Sequence, residues 1–507
     1  MKRRLGRAGR GIALLLGGTA ACAALWAQAP AWLADLPAWW APGQAHPLGL
    51  FSLADNPSGQ LAIYQPAGAT ATQGHPFFTP PGRNGRACVT CHQPADGMSL
   101  SVATIQQRWK VSQGSDPLFA AIDGADCPTL PRDQAASHSL LLKRGLFRIA
   151  RPWPPRGDDG QAIEPEFDIE VVRDPTGCNT DKIWGLHSPR PYVSVYRRPR
   201  PATNLKYVTA IGYDFEPKTG LPMLLDPETK KPTSGNLLAD GRALTLKAQV
   251  LDAMRWHLEV NGPPDPAQVQ QIIDFESGLY SAQISDKRGG RLDADGARGG
   301  PVMLAEAQAG ALQSTASNPS WSQEFAAWKT PPAELSAEQQ QFRESVLRGV
   351  EVFSRRTFLI RDSAGLNNIP LGNPVRDACS LCHNMLRSGL DVAPGRIDLG
   401  TTNFPHADPS PELPLFRLTC KPGAQPHPYL GRVVLTQDPG YALTTGRCRD
   451  IGKITMQQFR GLAARAPYFS NGSAQSILDI VRFYDRRYNI GYSAKEIEDL
   501  VNLMSVL

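Results

Sequence analysis

Three stretches of the chain carry a clear helical stripe. Phe342, Val346, Val350 and Phe353 recur at helical spacing behind Ser336-Ala-Glu-Gln339, a capping pattern that predicts a helix beginning near Ser336. Ile477, Ile480, Val481 and Tyr484 fall at i, i+3, i+4 and i+7, the apolar face of a second helix. Ser493-Ala-Lys-Glu496 reads as a capping box, and Ile497, Leu500, Val501 and Met504 line a final helix behind it. No long stretch alternates as a strand would, so the expected fold class is mainly α with long irregular loops. Between Ser285 and Pro319 the chain turns Gly/Ala/Ser-rich without sustained periodicity, which predicts a linker or a long surface loop.

With 507 residues, 41% of them hydrophobic, the chain is long enough for two or three domains with real cores, which argues against disorder. The 46 Gly and 45 Pro imply modest helices joined by turn-rich connections. The formal charge of +6 would suggest an acidic partner, but Lys2, Arg3, Arg4, Arg7 and Arg10 sit in the first ten residues. The remainder is close to neutral, and nucleic-acid binding loses its electrostatic basis. That basic start precedes an uncharged apolar run from Gly11 to Ala27, the pattern of an export signal. The run is at the short end of a membrane span, and the cleavage-like Ala27-Gln28-Ala29 is followed by Pro30; an uncleaved anchor is favoured over a removed signal. Basic residues ahead of the run keep that end cytoplasmic, so the body is expected in the periplasm. The expected division is 1–40 as signal or anchor, 41–335 as an N-terminal domain with long insertions, and 336–507 as a C-terminal domain.

The nine cysteines change the picture most. Cys88-Val-Thr-Cys91-His92 and Cys379-Ser-Leu-Cys382-His383 both match the c-type haem attachment motif. On one helical turn, two thiols three residues apart can each reach a haem vinyl group, and the next residue turns an imidazole to the iron. A zinc site built from two Cys-x-x-Cys pairs would not need a His after each and suits an exported chain poorly. Two covalently bound c-type haems are therefore expected, with His92 and His383 as iron ligands. Besides Cys22, the remaining four cysteines allow three disulfide pairings; the local ones, Cys127 with Cys178 and Cys420 with Cys448, are favoured.

A third landmark is Phe459-Arg-Gly-Leu-Ala-Ala-Arg-Ala-Pro-Tyr-Phe-Ser-Asn-Gly472. It resembles the L-R-x-x-A-x-x-A-P-Y-F-H-N-G signature of bacterial dihaem cytochrome c peroxidases and the related MauG. With Asp240-Gly241-Arg242 and the final helices, the resemblance runs from about Gly74 to Leu507. It implies two cytochrome-c-like haem domains whose haems face a shared interface. It further implies hydrogen peroxide bound at the haem held by His92, Gln249 and Glu259 over that haem, and Tyr484 as the second ligand of the haem held by His383. Peroxidases of the family commonly carry Met where Tyr484 stands, whereas MauG has Tyr; a carboxylate such as Glu259 could move the proton during oxygen–oxygen cleavage. The implied partners are a small electron-donor cytochrome or cupredoxin, or an oxidisable protein substrate.

Several positions depart from the pattern. Ala239 replaces the aromatic residue before Asp-Gly-Arg, Ser470 replaces the signature His, and Arg200 and Arg465 occupy positions expected to bind calcium, which speaks against that ion. The sixth position of the first iron is left between an open site and a loop residue, His187 or Tyr192. The rival readings are a two-haem electron carrier without substrate chemistry and a dihaem oxygenase.

Overall fold

In the computed structural model, described for residues 39–157, 160–211, 224–311, 323–369, 372–385, 388–390 and 395–507, the expected helices form where their caps place them. The apolar N-terminal run, Cys22 and the proposed anchor lie outside the described residues. The longer helices of the described residues are α1 (Val102–Ser112), α2 (Leu246–Trp256), α3 (Pro266–Ser277), α4 (Pro301–Ala311), α5 (Ala337–Arg355), α6 (Ile477–Tyr488) and α7 (Ala494–Ser505). Capping boxes start α5 at Ser336 with Gln339, α6 at Ser476 with Asp479, and α7 at Ser493 with Glu496. Each satisfies backbone donors that a helix start leaves without partners. α5 and α7 pack closely because Gly349 has no side chain: a Cβ there would lie 2.2 Å from the Asp499 carbonyl oxygen. Asp499 also accepts hydrogen bonds from Ser345 and Arg348 of α5.

The mainly helical expectation is corrected by the strands. The described residues are 29% helix and 18% strand with several sheets, a mixed α/β fold. An antiparallel four-stranded sheet joins Phe51–Asn56, Gly59–Tyr64, Tyr280–Asp286 and Gly290–Arg291 in that order. A three-stranded sheet places Leu415–Cys420 between Val433–Thr436 and Phe167–Arg173, and Phe147–Pro152 pairs with Tyr192–Arg197. Tyr192–Arg197 and Tyr280–Asp286 are buried along almost their whole length, so they show no alternation to read. Phe167, Ile169 and Val171 against Asp168 and Glu170 do alternate, but the strand is short and finds its partner about 250 residues away, at Leu415–Cys420.

The stretch expected as a linker is structured over its first part, as the end of one strand, a hairpin to Gly290–Arg291 and α4. Its glycines serve close approach: a Cβ on Gly300, at φ +87°, would lie 2.4 Å from the Ile284 side chain. Residues Trp39–Leu507 fall into one compact unit. The core of α5, α6 and α7 takes in Leu292, Phe325 and Trp328 from before the boundary expected near 335. Two disulfides, Cys127–Cys178 and Cys420–Cys448, join the favoured pairs across 51 and 28 residues of sequence. Loops of that size correspond to about 3–4 kcal/mol in the chain-entropy account. Among the described residues no helix is long and apolar enough to cross a membrane.

Candidate functional site

The two Cys-x-x-Cys-His segments adopt the same local structure. Each is a single tight turn, Cys88–Thr90 and Cys379–Leu381, entered from an extended alanine, Ala87 or Ala378. The amides of His92 and His383 donate to the carbonyls of Cys88 and Cys379, both at 3.0 Å, which brings two thiols and an imidazole onto one turn. The chain then folds back, and each imidazole meets a carbonyl six residues on: His92 Nδ1 lies 2.9 Å from Met98 O, and His383 Nδ1 lies 3.0 Å from Gly389 O. A carbonyl can only accept, so each ring carries its proton on Nδ1 and leaves the Nε2 lone pair free for a metal. Burial lowers the pKa of His92 and brings that of His383 down to about 4, keeping both neutral. Phe77 and Phe353 flank the two rings at centroid distances of 6.3 and 6.5 Å.

Each turn opens onto its own cavity. Cys88, Cys91 and His92 line the first, about 1400 Å³ including its mouth; Cys379, Cys382 and His383 line the second, about 610 Å³ on the same basis. None of the four thiols is in a disulfide. Burial pushes Cys88 upward and Cys91 and Cys379 to about 11, so none of these three is a ready thiolate. Among the described residues no three His, Cys, Asp or Glu side chains are placed so that they could by themselves hold a metal ion.

The first cavity has an electrostatic anomaly that bears on its ligand. Arg198 and Arg200 line it, and the buried Arg465 acts on both. Their donors go to neutral oxygens rather than carboxylates: Arg198 to the Leu100 and Arg465 carbonyls, Arg200 to those of Thr455 and Met456, and Arg465 to the Gln458 carbonyl and the Gln457 side-chain oxygen. The Nε atoms of Arg200 and Arg465 have no partner. Burial, together with repulsion between guanidiniums, lowers Arg198 and Arg200 to about 9. Buried charges are ordinarily paired, so this wall fits a ligand that brings carboxylates, as a haem brings its propionates. Arg197 and Arg242 instead find carboxylates within the protein, in Asp240, Asp438 and Asp252, although the Arg242 Nε also lacks a partner. Burial alone would raise Asp240, but Arg242 and Arg197 outweigh it and hold the carboxylate far below its usual range.

Gln249 lines the first cavity from α2. Glu259 does not: it follows the helix end at φ +52°, and its carboxylate lies 3.5 Å from exposed Arg83. His257, one residue past α2, reaches the cavity in its place, with Nδ1 2.5 Å from Asp123. Asp123 is itself buried against Arg86, and both residues also line the cavity. His187 is exposed and Tyr192 packs beside Trp184 and Trp256; neither is in the wall. Ala239 is in the wall, with nothing aromatic to offer.

Glu276 is a second cavity residue that the motif comparison did not find. It is 3% exposed, its Oε2 has no partner, and burial pushes it up to about 8. It shares a helix face with Val269 and Ile272, and a carboxylate on an apolar stripe was the available signal. Because its folded value exceeds the ordinary 4.5, the folded protein keeps this proton between about pH 4.5 and 8 while the unfolded chain releases it. Glu276 therefore weakens folding progressively as pH rises through that window, by about 1.4 kcal/mol per unit. Glu276→Gln is expected to gain thermal stability over the parent that grows from pH 5 to pH 8; a gain independent of pH in paired melting curves would show that Glu276 does not carry this proton.

In the second cavity Tyr484 of α6 faces His383, ring centroids 6.2 Å apart and planes at 86°. Burial pushes its phenol well above the ordinary 10. Tyr488 stacks beside it and hydrogen-bonds Ser363 at 2.9 Å, while the Tyr492 hydroxyl lies 3.6 Å from Cys379 Sγ. Met504 is the thioether in this wall. The structure thus gathers Cys88, Cys91, His92 and Gln249 at one cavity and Cys379, Cys382, His383 and Tyr484 at another. Comparison of the chain with protein-family models, curated proteins and solved structures finds no match.

Proposed function

We propose that the chain is a dihaem c-type cytochrome enzyme that reduces hydrogen peroxide. The observation that carries this reading is the repeated turn: two thiols and an imidazole with a free Nε2, presented to a cavity, twice in one chain. When bound, the haems would supply iron that exchanges single electrons and takes up peroxide. His92 and His383 would hold the irons, with the Met98 and Gly389 carbonyls fixing each ring's tautomer. Arg198 and Arg200 would pair with carboxylates in the first cavity, a role that needs no calcium. Gln249 would orient a small oxygen ligand there, and the apolar, aromatic wall of the second cavity would keep water from its iron.

The peroxidase-type resemblance favours reduction of peroxide with electrons from a small cytochrome or cupredoxin, or from an oxidisable side chain of a protein partner. Two disulfide pairs agree with an oxidising compartment such as the periplasm. The test is the EPR spectrum of the purified ferric protein, then absorption during stoichiometric peroxide addition. One high-spin and one low-spin haem whose ferric signals are consumed by peroxide are expected. Two low-spin haems indifferent to peroxide, even after one-electron reduction, would make the chain an electron carrier.

A further inference from the structure

The first cavity holds one imidazole besides His92, and its orientation is controlled. His257 Nδ1 lies 2.5 Å from Asp123 Oδ2, and the other Asp123 oxygen is held by Arg86. Asp123 and Arg86 are buried, their side chains 4% and 1% exposed, whereas His257 keeps 30% of its side chain accessible. An ionised carboxylate can only accept, so Nδ1 donates and Nε2 is left with its lone pair. The position is equally constrained: Asn84 donates to the His257 carbonyl at 2.9 Å, fastening the end of α2 to the segment that leads into Cys88. A base held in one tautomer by a buried carboxylate is the arrangement by which enzymes prepare a proton acceptor.

We propose that His257, positioned by Asp123, is the proton acceptor for peroxide in the first cavity, the role that the motif spacing alone gives to Glu259. This rests on the peroxide-reducing function proposed above. His257 Nε2 takes the proton from the oxygen that approaches the iron and returns it to the far oxygen, which leaves as water when the oxygen–oxygen bond breaks. The two electrons for that cleavage would be supplied by the bound haems and made good by the small cytochrome or cupredoxin donor, one at a time. Over the cycle one peroxide, two electrons and two protons become two waters, and His257 relays a proton without being consumed. Asp123 is a positioning residue, and Arg86 holds it in place.

The test uses the full-length protein carrying both haems. His257→Gln keeps a donor for Asp123 and leaves the Asp123–Arg86 pair intact; His257→Asn is the second variant if Gln does not retain two haems. The variant is expected to keep two haems per chain and the parent's ferric EPR spectrum, while the peroxide-driven loss of ferric absorbance slows about 10²- to 10⁴-fold. Cyanide, which arrives as HCN and binds as the anion, must give up a proton at the same place, and its association should slow as well. An unchanged peroxide rate would overturn the proposal. So would a variant EPR spectrum in which a low-spin haem becomes high-spin, since His257 would then be an iron ligand. A parent protein that ignores peroxide would instead remove the functional reading beneath it.

Discussion

A chain with Cys379 and Cys382 both changed to alanine is expected to carry one covalently bound haem in place of two, and to lose several kcal/mol of stability. The second cavity lies inside the C-terminal core: Phe353 of α5, Val481 and Tyr484 of α6, and Leu500 and Met504 of α7 all face it. These three helices have the clearest stripes and caps in the chain, yet they leave between them an apolar space that their own side chains do not fill. Empty apolar volume in a core is destabilising in proportion to its size, because the lining loses dispersion contacts and cannot fully collapse. The proposed haem therefore completes the core as well as serving the chemistry, and the two thioether bonds keep it there. The measurement is haem content per chain after denaturing electrophoresis, paired with a thermal melt. Two covalently bound haems surviving in the variant would show that Cys379 and Cys382 do not attach one. The equivalent change at Cys88 and Cys91 should remove the other haem only, since the two cavities have separate walls.

What was readable in advance follows the range of the forces involved. Ser336, Ser476 and Ser493 cap helices through neighbours three residues away, so those starts are local facts. The two Cys-x-x-Cys-His turns are local as well, since two cysteines and a histidine within five residues need only one tight turn to come together. Strand pairing is not local: Phe167–Arg173 depends on Leu415–Cys420, and no window along the chain contains both. The Gly-rich stretch misled for a related reason, because the absence of a side chain at Gly289 and Gly300 reflects what packs against them, Phe342 and Ile284. At the first cavity, counting residues from Asp240-Gly241-Arg242 reaches Gln249 while the chain is still helical. It fails at Glu259 because α2 has ended at Trp256 and the backbone has turned. His257 and Glu276 take up the wall there, and the two unpaired Nε atoms of Arg200 and Arg465 become visible only once burial is known.

Replacing Tyr484 by Met is expected to raise the reduction potential of the second haem by on the order of 0.2 V, within the roughly 0.8 V that axial ligands span. Burial pushes the free phenol strongly towards its neutral form, so no protein group is poised to make it a phenolate. A ferric iron held by His383 would supply the missing positive charge, as bound cations invert the pKa order of their ligands. The resulting phenolate would stabilise the ferric state and lower the potential, whereas a thioether raises it. Tyr484→Phe separates ligation from packing, because it keeps the ring against Tyr488 and Phe469 and removes only the oxygen. A spectroelectrochemical titration of both variants decides the matter. If Tyr484 binds iron, Phe should turn the second haem high-spin and Met should restore a low-spin spectrum at higher potential. If both variants titrate like the parent, Tyr484 is a core aromatic, and its likeness to the Tyr of MauG says nothing about the iron. That outcome would leave the haem attachment and the His257 proposal untouched, since neither depends on what stands opposite His383.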